Sequence, residues 1–99
     1  MPNQAPPDPP IETEVPWADA LTDYDRAHLV TYLRVLDALA DHADRDEMAR
    51  IILGIDSLAE PARARTAIES HIRRARWMTE QGYRHLLNDA ATRHRRRPR

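Results

Sequence analysis

The sequence predicts an all-α fold: a small four-helix domain with an extended-turn helix-turn-helix, flanked by disordered tails. Apolar residues recur at three- and four-residue spacing through the middle of the chain, which is the period of a helix. Only 2 of the 99 residues are glycine, so a β fold with many tight turns is disfavoured. Six of the 8 prolines lie before Trp17, where they disfavour helix.

Composition divides the chain into three parts. Residues 1–18 are rich in proline and poor in apolar groups, so this N-terminal tail is predicted to be disordered. Residues 19–90 are predicted to form the helix-turn-helix-like domain, and residues 91–99 an arginine-rich disordered tail. Trp17 is the exception within the first tail, because a large aromatic side chain is suited to pinning that tail to the folded body.

The first predicted helix begins at Thr22, whose hydroxyl can cap a free amide while Asp25 stands in the capping-box position. An apolar stripe follows and is expected to face the core; it consists of Leu29, Tyr32, Leu33, Leu36, Leu39 and Ala40. Val30 and Val35 flank this stripe. Two interpretations remain open for the wide apolar surface: burial on two sides within the bundle, or a flank that binds a partner.

The second predicted helix begins at Asp44, with Glu47 in the capping-box position and an apolar face of Met48, Ile51, Ile52 and Ile55. Gly54 can adopt the left-handed conformation that ends a helix. The connection from Gly54 to Glu60 is longer than the usual three- or four-residue turn, so we expect an extended turn.

The third predicted helix begins at Pro61, since proline is favoured at the first helical position. One face collects small residues and isoleucines: Ala64, Ala67, Ile68, Ile72, Ala75 and Met78. His71 lies on the same face and is expected to be packed and hydrogen-bonded. Gly82 is expected to close this helix. A short fourth helix is predicted from Tyr83, Leu86, Leu87 and Ala90.

Composition also excludes several classes of function. The chain has no cysteine and no glycine-rich phosphate loop, and its histidines show no metal-binding spacing. A core of about 70 residues leaves little room for a substrate pocket. We therefore expect no enzyme activity, no cofactor, no metal and no small-molecule ligand. No apolar run approaches a membrane span, and no signal peptide is recognisable, which predicts a cytoplasmic protein without membrane contact.

Charge is distributed unevenly along the chain, although 15 arginines and 16 acidic residues give a formal net charge of −1. Before Pro61 there are 13 acidic residues and 4 arginines, and from Pro61 onwards 3 acidic residues and 11 arginines. Residues 44–82 hold seven of each, so their balance is zero. Because phosphates repel carboxylates, this balance disfavours the reading of duplex DNA.

The segments YDRAHLVTYLRVLDALADHADRDEMARIIL and ESHIRRARWMTEQGYRHLL carry a resemblance to a known family. They resemble the QseM-type antiactivators and the related activators that control transfer of bacterial integrative and conjugative elements. The resemblance covers about residues 21–87 and implies an extended-turn helix-turn-helix of about four helices. In that family the activators carry an extra N-terminal domain and touch DNA, whereas the antiactivators occupy the activator's N-terminal domain and stop transcription.

Two departures from the activator pattern favour an antiactivator: only about 20 proline-rich residues precede the first helix, and the motif region is rich in acids. The expected partner is therefore the N-terminal domain of an activator of the same family, as in quorum-sensing control of element transfer, with DNA binding unlikely or weak. Since Trp, Tyr and Arg are common interface anchors, the expected protein-interface residues are Val30, Arg34, Trp77, Tyr83 and Arg84.

The alternative interpretation is a small DNA-binding helix-turn-helix regulator. Recognition residues usually lie on the second helix of the motif. The expected DNA contacts are then Arg63, Arg65, Arg73 and Arg74. A third interpretation is a module that completes the fold of another protein, because so small a core supplies only about 3–5 kcal/mol of stability.

Overall fold

The computed structural model describes residues 10–82, which form an α-helical domain preceded by an extended segment. Four helices follow in chain order: α1 (Asp23–Ala27), α2 (Leu29–Ala40), α3 (Arg45–Met48) and α4 (Pro61–Trp77). A π-helical turn continues α3 over Ala49–Leu53, and a second one continues α4 over Met78–Gly82. The all-α prediction is confirmed. The predicted fourth helix after Gly82 lies outside the described residues.

The helix boundaries follow from the local sequence. The Thr22 hydroxyl accepts the Asp25 amide at 3.1 Å, and the Asp25 carboxylate accepts the Thr22 amide at 3.0 Å, which completes the predicted capping box. Asp44 caps α3 by accepting the amides of the next helical turn. Gly54 has φ +72°, the left-handed conformation predicted for it. Pro61 occupies the first turn of α4.

The first helix is interrupted, where the sequence predicted one continuous helix. His28 leaves helical geometry with φ −120° and ψ 25° and separates α1 from α2. Its ring stacks on Tyr24 with centroids 3.8 Å apart, and its two ring nitrogens lie 2.8 Å from the Tyr24 carbonyl and 3.1 Å from that of Pro10. These contacts hold the side chain inward and bend the chain at this point.

Helix α3 and the π-helical turn after it, together named the α3 segment, cover residues 45–53. The core lies where α2 and the α3 segment pack against α4. The predicted small-residue face of α4 and the turn after it is buried throughout; its residues are Ala64, Ala67, Ile68, Ile72, Ala75 and Met78. On α2 the expected stripe is only partly buried. Val35 is fully buried, whereas Leu33, which was expected in the core, is 65% exposed.

An extended segment, residues 10–20, runs along α4 and is named the N-terminal strap. Val15 is buried, and its amide donates to the Ser70 hydroxyl at 2.7 Å. Ile11 packs against the core. Residues 10–18 of the N-terminal tail, for which the sequence predicted disorder, thus have defined contacts with α4 and the core. The physical reason is that α4 offers the strap the Ser70 hydroxyl as an acceptor, the Arg74 guanidinium as a donor and an aromatic contact at Trp77. Helical periodicity reports none of these.

Candidate functional site

The α3 segment, the extended turn and α4 form the predicted helix-turn-helix, in which α4 occupies the position of a recognition helix. The turn over residues 54–60 is tightened by the Asp56 carboxylate, which accepts the Leu58 amide at 2.9 Å. The Glu60 amide donates to the Asp56 carbonyl at 2.8 Å, and these bonds lead the chain into Pro61. Because its ends are fixed, the turn sets the direction in which α4 presents its outer surface.

One side of α4 is exposed along its length and is named the α4 outer face. It consists of Ala62, Arg65, Thr66, Glu69, Arg73 and Arg76, of which Glu69 is half-buried. These positions recur every three or four residues and span about 21 Å at 1.5 Å per residue. Arg65, Arg73 and Arg76 make no ion pair among the described residues. The face therefore presents three arginines beside the small side chains of Ala62 and Thr66.

The single carboxylate on the α4 outer face is partly neutralised. Glu69 accepts from the Arg45 guanidinium at 3.1 Å, and both side chains are half-exposed. Arg45 belongs to α3, so this bond also ties the two helices of the motif together. Neither Arg45 nor Arg76 was predicted as a site residue. The angle of Arg76 around the helix, which coincides with that of Arg65 to within about 20°, could have identified it.

Arg63 lies at the edge of the α4 outer face and is engaged within the chain. Its Nε donates to the Thr13 hydroxyl at 3.2 Å, and its Nη1 lies 3.4 Å from the Glu60 carboxylate. Both interactions of Arg63 are exposed to solvent, so each contributes little to the stability of the fold. Of the four arginines expected to contact DNA, Arg65 and Arg73 lie on the face, and Arg63 lies beside it.

Arg74, the fourth expected DNA contact, is fully buried, so this assignment is wrong. Its guanidinium lies against the Asp25 carboxylate at 2.6 Å and donates to the carbonyls of Ala18 and Ala20 at 2.8 and 2.9 Å. Burial favours the neutral acid, but hydrogen bonds from Arg74, Thr22 and Tyr32 outweigh it and lower the pKa of Asp25. Arg74 thus fixes the strap and α1 to α4.

Trp77 was expected to be an exposed interface anchor, and the structure contradicts this because only 9% of the residue is accessible. Its ring lies 3.8 Å from the Arg74 guanidinium carbon and packs edge-on against Trp17, with centroids 6.1 Å apart. The Trp17 ring also covers Arg74, with its centroid 4.7 Å from the guanidinium carbon. Trp17 therefore pins the strap to α4, as the sequence suggested, and in doing so it covers Trp77.

His71 is buried and hydrogen-bonded, as predicted for a core histidine. Its Nδ1 lies 2.7 Å from the Ala67 carbonyl, and its Nε2 lies 2.7 Å from the Tyr24 hydroxyl, which itself accepts the Glu12 amide. This pattern assigns the imidazole proton to Nδ1. Burial lowers the pKa of His71, and the neighbouring His28 lowers it further. The chain from Glu12 to Ala67 gives the strap another attachment to α4.

The remaining expected interface residues lie elsewhere. Val30 is 69% exposed on α2, and Arg34 is exposed one turn further along the same helix, away from the α4 outer face. Tyr83 and Arg84 lie outside the described residues. Within residues 10–82 no three His, Asp or Glu side chains are grouped so that they could hold a metal ion. None of the described helices is long and apolar enough to span a membrane.

Comparison with known protein families gives one further finding. Residues 10–88 match the family model RovC_DNA-bd, whose description is "T6SS, Transcription factor, DNA binding domain". The match begins at the first residue of the strap and extends beyond the end of the described residues. No curated protein matches the chain.

Proposed function

The chain belongs to the RovC_DNA-bd family of transcription-factor DNA-binding domains, and from this premise we propose that its α4 outer face binds duplex DNA. The observation that carries the proposal is the alignment of Arg65, Arg73 and Arg76 on one exposed side of the second helix of the motif. The proposed role is that of a transcriptional regulator, which acts without enzymatic chemistry and in the compartment that holds the DNA.

The interpretation as an antiactivator that does not read DNA is wrong, because the family that matches is one of DNA-binding domains. The zero net charge of residues 44–82 is a poor guide to DNA binding, since it does not report where on the surface the charges lie. Several of the counted acids are on α3 and in the turn, and Glu69 is held by Arg45. Averaging over sequence therefore hid a local arginine surface.

The arrangement of the α4 outer face fits the two tasks of a recognition helix. Arg65 and Thr66 lie in the first two turns of α4, where such helices usually contact base edges. Arg73 and Arg76 lie two to three turns further along, where their guanidinium groups are suited to phosphates. Small side chains at Ala62 and Thr66 allow the helix to approach the floor of the major groove.

Fluorescence anisotropy with a labelled duplex tests this proposal on the full chain. Two phosphate contacts, from Arg73 and Arg76, correspond to a slope of about −1.8 in log K against log salt, so raising salt from about 50 to about 200 mM should weaken binding about 12-fold. In the Arg73→Gln/Arg76→Gln variant the slope should become less steep by about 1.8, because two phosphate contacts are lost. The matched control is Arg34→Gln/Arg50→Gln, which removes two exposed arginines from α2 and the α3 segment.

The control variant should bind as the unmodified chain does, since the removed arginines lie on other helices. Equal weakening in both double variants would mean that net charge, rather than the α4 outer face, drives binding. Absence of binding by the folded chain at low salt would contradict the proposal. Circular dichroism of each variant establishes that the helices are intact.

A further inference from the structure

A groove runs between α2 and the α3 segment, on helices that do not contribute to the α4 outer face except through Arg45. Two adjoining cavities share Arg34, Ile51 and Ile52 in their walls and therefore form one continuous feature, named the α2–α3 groove. It extends beside α2 from Val30 to Asp41, which is about 17 Å at the rise of a helix. Its size suits an extended or helical peptide segment.

The two ends of the α2–α3 groove differ in chemistry. One end is lined by apolar groups that include Val30 and Leu53, and the exposed side chain of Ile51 adjoins it. The other end carries three carboxylates, those of Asp37, Asp41 and Glu47, against one guanidinium, that of Arg34, so its charge is negative. All three are exposed, and none makes an ion pair or side-chain hydrogen bond among the described residues. The groove therefore favours an occupant with an apolar part followed by a cationic part.

The chain itself contains a segment with this order of chemistry, outside the described residues. Apolar side chains come first, at Tyr83, Leu86, Leu87 and Ala90. Cationic side chains follow, at Arg93, Arg95, Arg96, Arg97 and Arg99. A single acidic residue, Asp89, occurs among residues 83–99. The apolar part of this segment thus matches the apolar end of the groove, and its cationic part is opposite in charge to the acidic end.

We propose that residues 83–99 of a second copy of this chain occupy the α2–α3 groove, with the apolar residues against Val30 and Ile51 and the arginines against Asp37, Asp41 and Glu47. Burial of Val30 and Ile51 supplies the apolar contribution, and the guanidinium–carboxylate pairs set the direction of the segment. A segment given by one copy to the next produces a head-to-tail contact. This inference does not depend on DNA binding.

Sedimentation equilibrium of the full chain, free of nucleic acid, tests the proposal. We expect self-association that weakens as salt is raised, since the guanidinium–carboxylate pairs are at the surface. Asp37→Asn/Asp41→Asn/Glu47→Gln should weaken association about tenfold or more, from the loss of three pairs. The matched control is Glu14→Gln/Asp19→Asn/Glu80→Gln, which neutralises three exposed carboxylates outside the groove and should leave association unchanged.

A charge exchange identifies the occupant. One chain carries Asp41→Arg/Glu47→Arg and the other carries Arg95→Glu/Arg96→Glu. Each chain alone should be monomeric, and their mixture should associate, because each segment then meets a groove of opposite charge. A wild-type chain that stays monomeric would overturn the proposal and leave the groove to a different protein. Association that survives the groove substitutions, or a mixture that does not recover it, would also overturn the proposal.

Discussion

The buried ion pair between Arg74 and Asp25 provides the sharpest test of what holds the strap and α1 to α4. Both side chains have no accessible surface, and three donor–acceptor distances of 2.6 to 3.2 Å join them. Arg74→Met keeps the aliphatic stem but leaves the Asp25 carboxylate buried without a cation. Removing one partner of such a pair costs about 3–5 kcal/mol of unfolding free energy. Since a core of this size supplies only about 3–5 kcal/mol, the variant should be largely unfolded.

Urea denaturation, followed by circular dichroism and tryptophan fluorescence, measures this loss of unfolding free energy. Sucrose is added to all samples because it favours the folded state, so that the unstable variant shows a measurable transition. Adding Asp25→Asn to Arg74→Met should restore about 1–2 kcal/mol, because the uncompensated charge is then removed. Arg73→Met is the matched control on the exposed side of α4 and should change stability by at most about 0.5 kcal/mol. A loss below about 1 kcal/mol for Arg74→Met, or an additive double variant, would refute the reasoning.

Three further perturbations address the pH dependence, the turn and the strap. Folding lowers the pKa of His71, so the unfolded chain takes up a proton at this residue first as pH falls below about 6.5. The free energy of unfolding should therefore be constant above that pH and decline below it by up to about 1.4 kcal/mol per pH unit. Urea titrations measure this decline, which should be smaller in His71→Asn. Gly54→Ala should cost about 1–2 kcal/mol in thermal unfolding, because φ +72° is unfavourable for alanine although no atom obstructs its Cβ. Ser70→Ala should cost about 1–3 kcal/mol, because the buried Val15 amide loses its acceptor, and hydrogen exchange at that amide should accelerate.

Each of these expectations has its own control. Gly54→Asn should lose less stability than Gly54→Ala, since asparagine tolerates the left-handed region, and equal losses would contradict the backbone explanation. Thr66→Ala removes an exposed hydroxyl from the same helix as Ser70 and should be nearly neutral. If stability declined equally in wild type and His71→Asn between about pH 6.5 and 5, another group would be responsible.

Local sequence signals predicted the fold well where the cause is local. The capping residues Thr22 and Asp44, the left-handed Gly54 and Pro61 in the first turn of α4 act within a few residues, and the structure has each of them as expected. The apolar face of α4 was also predicted, because 3.6-residue periodicity reports burial against a neighbouring helix. Family membership, rather than the residues themselves, corrected the functional interpretation.

The errors at Trp77 and Arg74 share one physical origin, which is contact between α4 and a segment without periodicity. Helical angles placed Trp77 and Arg74 at or beside the outer surface, and they would be exposed if only helices packed on α4. The strap occupies that flank, with Trp17 against Trp77 and the carbonyls of Ala18 and Ala20 against Arg74. Arg76 is a separate omission, because its angle around α4 coincides with that of Arg65 and identifies it without knowledge of the strap.

The contacts of the strap also constrain the order of events during synthesis on the ribosome. Val15 meets a residue 55 positions later, and Arg74 meets Ala18 and Asp25 at separations of 56 and 49 residues. The N-terminal segment therefore leaves the ribosome before its hydrogen-bond partners on α4 have been synthesised. Helices α1 to α3 can sample local structure during that interval, but the carboxylate of Asp25 has no guanidinium to meet. Completion of the core thus waits until α4 has been synthesised, and a ribosome stalled before Arg74 would carry a chain without its stabilising centre.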